Sequence, residues 1–325
     1  MSEILLQQTQ AARVAERFDA FRRAFPTPAA MAGAPLDKVL ALWSGLGYYR
    51  RAGMLHACAK AIVARHGGHV PEQPKALLAL PGVGRYTAGA VASIVFGQPE
   101  PIVDGNVARV FLRIHGIERS PDEPSVQKWS WDRAAALAHA AGDQIQGYSE
   151  GVMELGATVC TPTAPNCDAC PCSAFCTARQ LGLTDRIPRP KTRPERKPLA
   201  MSAIVVFDRR GRVLLEQRPE KGLWAGLWQP PTLERHGVRP PAIGATMREL
   251  DLDGLVEVIG KPARLEMATT HRTIIARVSS ARAVNAGAVL KRRSGHATNL
   301  CWVSPDEMEG FGLGSAQRRM LELIV

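Results

Sequence analysis

Apolar residues recur at helical spacing through most of the chain before residue 160 and alternate with polar ones through much of the stretch after residue 200. Residues 11–79 read as successive amphipathic helices, punctuated by Pro26-Thr27-Pro28, Gly33-Ala34-Pro35, Gly67-Gly68 and Pro71. Arg85 to Phe96 predicts one helix of small and apolar residues, and helical periodicity resumes from Val107 to about Val159. After Ala200 the period shortens. Ser202–Phe207 and Val213–Arg218 predict strands around an Arg210-Gly211 turn, followed by a helix near Ile243–Leu250 and strands around 262–268, 272–279 and 298–303. Between the two regions, Thr184–Ala200 holds four prolines and six Lys or Arg residues. Such a stretch cannot bury a core and predicts an extended, basic connector. The pattern therefore predicts a multidomain protein: an all-helical region at 1–183, a Pro-rich linker at 184–200 and an α+β domain at 201–325.

Composition narrows this picture. A chain of 325 residues is ample for two cores, and 46% hydrophobic residues is ordinary for a globular protein. The net charge of +11, from 41 basic and 30 acidic residues, suits a polyanionic partner. No long uncharged apolar stretch predicts a membrane span and no basic-then-apolar start predicts a signal peptide, so a cytoplasmic location is the default expectation. The cysteine count is odd, 7, and four of them crowd together, which favours a metal or cluster site over a disulfide framework.

Four stretches carry candidate chemistry. Leu80-Pro81-Gly82-Val83-Gly84 is a tight turn opening a helix, where unpaired N–H groups can seat a phosphate and Gly82 and Gly84 let a backbone approach closely. Val103-Asp104-Gly105-Asn106 follows, an acid and an amide in a glycine setting. Trp43 to Ala52 sets Tyr48 and Tyr49 beside Arg50 and Arg51, a pattern able to stack bases or to pack a core. Cys160, Cys167, Cys170 and Cys176 follow the spacing C-x6-C-x2-C-x5-C, which can converge on one metal centre; spacing alone leaves zinc open. Cys172 is extra to this set and reads as a free thiol, and Cys58 reads as core.

The hairpin turn with its downstream Asp resembles the helix-hairpin-helix DNA glycosylases, whose hairpin binds DNA phosphates without regard to sequence. Strand-cutting members carry a Lys two residues after the second hairpin glycine; Tyr86 stands there in this chain. That implies a glycosylase using water, similar to adenine-DNA glycosylases of the MutY type. The run Glu3-Ile4-Leu5-Leu6-Gln7-Gln8-Thr9-Gln10 matches that family's catalytic segment. The resemblance implies Glu3 and Asp104 as catalytic carboxyls, with Tyr86 and Asn106 hydrogen-bonding around them. It implies Gln8 as a wedge in the duplex where adenine has left, and Tyr48 as a residue stacking in the DNA. Taken alone, Glu3 is equally a charge at a helix start, with Ser2 as its cap. The family carries a further helix before this Glu, so an upstream start or a lost helix is expected.

The cysteine spacing is that of the [4Fe–4S] loop (160–176) of endonuclease III-like glycosylases, which implies those four cysteines as ligands. The region from Ser202, with the run Gly222-Leu223-Trp224-Ala225-Gly226-Leu227-Trp228-Gln229-Pro230-Pro231, resembles the family's Nudix-like domain. Hydrolysis by that domain is not expected, because Arg248-Glu249-Leu250 lacks the clustered glutamates that hold Mg²⁺. The family's 8-oxoguanine-reading loop corresponds to Thr269, Thr270 and His271, with Thr269 in the place of an aromatic. The resemblance thus implies action on duplex DNA with adenine opposite 8-oxoguanine or guanine, and a monomer is expected because no motif demands more. The alternatives are a bifunctional lyase for oxidised pyrimidines and a mispair-binding protein without catalysis.

Overall fold

The computed structural model of the chain describes residues 1–190, 195–291 and 299–324. Residues 191–194 of the expected linker, and position 298 at the start of the last expected strand, lie outside the described residues. In chain order the N-terminal helices are α1 (Ser2–Leu6), α2 (Ala11–Ala24), α3 (Pro28–Ala32), α4 (Leu36–Leu42), α5 (Arg50–His66) and α6 (Pro74–Leu78). They are followed by α7 (Arg85–Ala90), α8 (Gly105–Ile114), α9 (Pro124–Ala141), α10 (Ile145–Glu154) and α11 (Thr177–Gln180). The single helix expected over 85–96 is α7 continued by a π-helical turn, Val91–Val95, and α10 ends in another, Leu155–Val159. Helix α1 starts at Ser2, so Met1 and not Ser2 occupies the cap position.

By packing, the chain forms two units, Met1–Gln7 with Cys58–Arg193 and Gln8–Ala57 with Pro194–Val325, the division falling within α5. In the first, α8 is buried along its length from Val107 to Arg113. Its Val107, Val110 and Phe111 join Ile102, Ala134 and Val152 in one core, and its Leu112 joins Val126, Ala178 and Ile187 in another. A helix buried on all sides lies at the centre of its domain. Cys58, 5% exposed, packs with Ile62, Leu77 and Ala88, in line with the core reading.

The second unit is built on a mixed seven-stranded sheet of β1 (Lys197–Phe207), β2 (Val213–Gln217), β3 (Trp228–Gln229), β4 (Thr232–His236), β5 (Val256–Ala268), β6 (Arg272–Ala283) and β7 (Leu300–Val303). Strand order is β3-β2-β1-β6-β5, with β4 on β1 and β7 on β2. Strand β1 runs parallel to β6 from Lys197↔Arg272 to Phe207↔Arg282. Alternation decides its two faces. Leu199, Met201, Ala203 and Val205 face a core with Leu313 and Met320, the latter on helix α14 (Ser315–Glu322). Ile204 and Val206 face a second core flanked by Met247 of α12 (Ile243–Glu249) and Val289 of α13 (Ala286–Leu290).

Two sequence expectations shift. Strand β1 begins at Lys197, inside the stretch read as linker, because Lys197–Met201 pair with β6 even though Pro198 and the flanking charges hide the strand pattern. Residues 8–57, grouped by sequence with the helical domain, pack in the unit of the sheet. Ser44 Oγ and Tyr49 Oη donate to Leu313 O at 3.1 and 3.2 Å, and Gln217 Nε2 donates to Asp37 Oδ1 at 3.0 Å. An amphipathic helix states which face is buried and not what buries it. Among the described residues no helix is long and apolar enough to cross a membrane.

Candidate active site

Helix α1 carries Glu3 into the first unit. Its Ile4 and Leu5 are buried, and Gln7 Nε2, just past its end, donates to Gly82 O at 3.3 Å and Thr87 Oγ1 at 3.1 Å. The Gln7 amide thus ties the Glu3 segment to the hairpin turn. Burial pushes the Glu3 carboxyl above the usual range; the Met1 ammonium and a Tyr86 hydrogen bond oppose this, and the Asp104 charge adds to it. Tyr86 is pushed further from ionisation by burial and by the same two acids. Its hydroxyl also faces Met153 Sδ at 3.6 Å, a weak acceptor that leaves the carboxyl as its stronger partner.

Asp104 is the side-chain N-cap of α8. Its Oδ1 accepts from Asn106 N at 2.9 Å and Val107 N at 2.7 Å, and its Oδ2 accepts from Asn106 Nδ2 at 3.2 Å. Such capping fixes a carboxylate in direction and also satisfies the orphaned N–H groups of the helix. Behind it, Arg109 donates through Nη2 to Asn106 Oδ1 at 2.9 Å and Gly156 O at 2.7 Å, and through Nε to Cys160 O at 2.7 Å. Gly156 touches the same cap: a Cβ there would stand 2.9 Å from Asn106 Cβ. Glu3, Tyr86, Asp104 and Asn106 therefore meet around one point.

In the hairpin, Gly82 has φ +77°, where only glycine is at ease. Gly84 caps α7 with φ −91°, and a Cβ at this position would meet nothing within 4 Å, so this chain's own fold does not require glycine there. That leaves the space beside Gly84 open to a closely approaching partner.

The four spaced cysteines line one pocket with Arg113 and Arg179. Arg113, 2% exposed, donates to Cys160 Sγ at 3.3 Å, Thr161 O at 2.7 Å, Pro162 O at 3.2 Å and Ile187 O at 2.8 Å. Cys172 is not among the lining residues and hydrogen-bonds Cys170. Among the described residues no three His, Cys, Asp or Glu side chains are gathered as ligands of a single metal ion, and the four cysteines share only the lining of this pocket.

The remaining candidates meet in the second unit. Gln8 and Tyr48 have φ +54° and +46°, and Tyr48 Oη lies 3.1 Å from Thr270 Oγ1. Thr269, in place of an aromatic, closes the β5–β6 turn: its Oγ1 accepts from Arg272 N at 3.0 Å. His271 is exposed, and its carbonyl accepts from Lys197 N at 3.0 Å. Glu249, the remnant Nudix acid, is engaged with Arg235.

Sequence reasoning missed Gln7, Arg109 and Arg113, and read Arg51 only with its neighbours, as part of a pattern able to stack bases or to pack a core. A signal existed for two of them: Arg109 and Arg113 sit four apart in Val107–Ile114, a helix otherwise apolar on all sides, where a guanidinium must find buried acceptors.

Residues 1–135 match the family of HhH-GPD superfamily base excision DNA repair proteins, and residues 202–323 match a NUDIX domain. The human adenine DNA glycosylase is 37% identical over 282 residues, which is 72% of this chain and 50% of that protein. This chain is similar to the adenine DNA glycosylases over 72% of its length. The Mycobacterium tuberculosis adenine DNA glycosylase is 44% identical over 183 residues, 56% of this chain and 59% of that protein. A solved thermostable thymine-DNA glycosylase matches at 30% identity over 55% of this chain and 82% of that one, with a TM-score of 0.49. The chain spans about half the length of the curated mammalian relatives it matches. These matches agree with the architecture, a helix-hairpin-helix region followed by a Nudix-like domain.

Proposed function

We propose that this chain is a hydrolytic adenine DNA glycosylase that removes adenine opposite 8-oxoguanine or guanine from duplex DNA, acting as a monomer. The regions we assign are a catalytic region within 1–183, a basic linker ahead of β1 and a lesion-reading domain from Lys197 onwards, in whose unit residues 8–57 also pack. The observation that carries this reading is the pair of carboxyls, Glu3 desolvated and hydrogen-bonded by Tyr86 and Asp104 capped, close enough for each charge to act on Tyr86.

Breaking the N9–C1′ bond requires a proton on the departing base and a counter-charge for the sugar. Glu3, whose carboxyl burial shifts towards the protonated form, donates its proton to adenine N7, and the bond electrons leave with the base, which departs neutral. The cationic C1′ is stabilised by the Asp104 carboxylate, oriented by Asn106 N and Val107 N. Water then attacks C1′ and gives its proton to the Glu3 carboxylate, restoring the acid. Tyr86 orients Glu3 and, standing where a Schiff-base Lys would be needed, leaves no amine at that position. Extruding adenine costs a few kcal/mol, which Gln8 and Tyr48 offset by filling the vacancy, while Thr270 and His271 contact the opposite base. Gly82 and Gly84 bring the hairpin backbone to a phosphate.

The donor set of the pocket at 160–176 fits a [4Fe–4S] cluster: four thiols line one pocket, with a buried guanidinium against Cys160 Sγ. Cys160, Cys167, Cys170 and Cys176 would hold it, and its chemistry would be iron–thiolate cross-linking of the loop. Arg113 holds that loop's backbone through two carbonyls, Thr161 O and Pro162 O, and ties it to Ile187 O. The test is a substrate series, adenine opposite 8-oxoguanine, guanine, cytosine or thymine, with borohydride added in parallel. Release confined to the first two without a trapped adduct is expected; a trapped adduct would replace this reading by the lyase.

A further inference from the structure

Gln8 and Tyr48 are two of only five described residues other than glycine with positive φ. Side chains with a Cβ avoid that region, so each such turn persists only where its surroundings over-determine it. Both turns are held by one side chain. Arg51 Nη2 donates to Thr9 Oγ1 at 2.7 Å, next to Gln8, and to Leu46 O and Gly47 O at 3.3 Å each, next to Tyr48. Thr9 Oγ1 itself donates to Leu46 O at 3.3 Å, closing the link between the two segments. The guanidinium lies between two rings, its carbon 5.1 Å from the centre of Trp43 and 5.5 Å from that of Tyr48. Trp43 is fully buried and anchors the other side of the turn through Nε1 to Gly47 O at 2.8 Å.

Arg51 is 7% exposed, whereas Tyr48 is 50% exposed. Burial pushes the Arg51 guanidinium down to about 10, the mark of a cation that costs free energy to enclose. An apolar residue would fill that space at lower cost, so the guanidinium contributes geometry: a planar fork that reaches several acceptors in fixed directions.

We propose that Arg51 is a positioning residue that locks the left-handed turns at Gln8 and Tyr48 in one register, so that amide and phenol present a single preformed wedge to duplex DNA. Through the Tyr48–Thr270 contact, the same lock sets the phenol against the loop that reads the opposite base. This inference rests on the wedge role assigned to Gln8 and Tyr48 above.

The test uses the full chain and its Arg51→Lys and Thr9→Val variants. Arg51→Lys keeps a cation but loses the fork and the flat stacking surface; Thr9→Val removes only the oxygen that links the turns. Extrusion is followed by the fluorescence rise of 2-aminopurine in place of the target adenine opposite 8-oxoguanine. Affinity for undamaged duplex and the thermal midpoint are read beside it. Arg51→Lys is expected to slow extrusion about tenfold or more, the scale of a misplacement below 1 Å, with undamaged-duplex affinity within about twofold; Thr9→Val shifts in the same direction. Extrusion at the unsubstituted rate overturns the inference, as does a loss matched by an equal loss of undamaged-duplex affinity. Gln8→Ala and Tyr48→Ala separate the two layers. If they slow extrusion and Arg51→Lys does not, the lock alone fails; if they do not, the wedge role and the lock fail together.

Discussion

Replacing Gly156 by alanine tests whether the packing behind Asp104 sets its catalytic position. The added Cβ would stand 2.9 Å from Asn106 Cβ and 3.1 Å from the backbone C and O of the same residue. Carbon atoms pack at about 3.5–4.0 Å, so the cap of α8 must retreat by roughly 0.6 Å or more. Overpacking of this kind costs about 1–3 kcal/mol, read as a thermal midpoint lowered by about 2–4 °C for each kcal/mol in a domain of this size. The functional loss is larger in proportion. Asn106 supplies two of the three hydrogen bonds to the Asp104 carboxylate, one from its backbone and one from its side chain, so Asp104 moves with it. A 1 Å misplacement costs about a hundredfold in rate, and a shift of this size about ten- to a hundredfold. The assay is single-turnover adenine release at saturating protein, with a melting curve on the same sample. A lowered midpoint with release within about twofold of the unsubstituted chain would refute the coupling between this contact and Asp104.

Other consequences are open to direct measurement. Because burial raises the Glu3 carboxyl, its protonated form persists above the ordinary Glu range, and the single-turnover rate should fall as pH rises through that raised value; Glu3→Gln should remove the dependence and about 10²–10⁴ of the rate. The stability effect has the opposite benefit: a raised folded-state value gives stability that is full below the unfolded Glu value of about 4.3 and lost as pH rises through the folded value, so Glu3→Gln should melt higher at neutral pH and equal the parent in acid. Arg109→Met strands three acceptors, Asn106 Oδ1, Gly156 O and Cys160 O, at a cost of about 3 kcal/mol or more in denaturant melts; an unchanged midpoint would contradict the network. Metal analysis of the purified chain should find iron with acid-labile sulfide, lost in Cys170→Ala, whereas stoichiometric zinc without sulfide would refute the cluster.

Much of the site was legible because its residues lie in short runs whose spacing carries chemistry. Glu3, Asp104 and the hairpin glycines fall in such runs, and the structure brings Glu3, Tyr86, Asp104 and Asn106 to one place. The strands β1, β2, β6 and β7 were legible from alternation, although Pro198 and flanking charges mask the start of β1, whereas β3, β4 and the part of β5 before residue 262 were not expected. The supporting residues were harder to read. Arg109, Arg113 and Arg51 look like surface cations in sequence, and only the fold reveals that carbonyls, a thiol and aromatic rings enclose them. The packing of residues 8–57 on the sheet unit was invisible for a related reason: Ser44 and Tyr49 reach Leu313 across 269 and 264 positions of chain.

The most direct test of the central claim is single-turnover release of free adenine from a duplex with adenine opposite 8-oxoguanine, comparing the chain with Asp104→Asn. Asparagine remains a good helix cap, so α8 is retained while the negative charge at C1′ is lost. Adenine release by the chain is expected, with duplex binding but no release above background by the variant. Release by Asp104→Asn at a rate close to that of the unsubstituted chain would contradict the catalytic role of this carboxylate and the hydrolytic reading built on it.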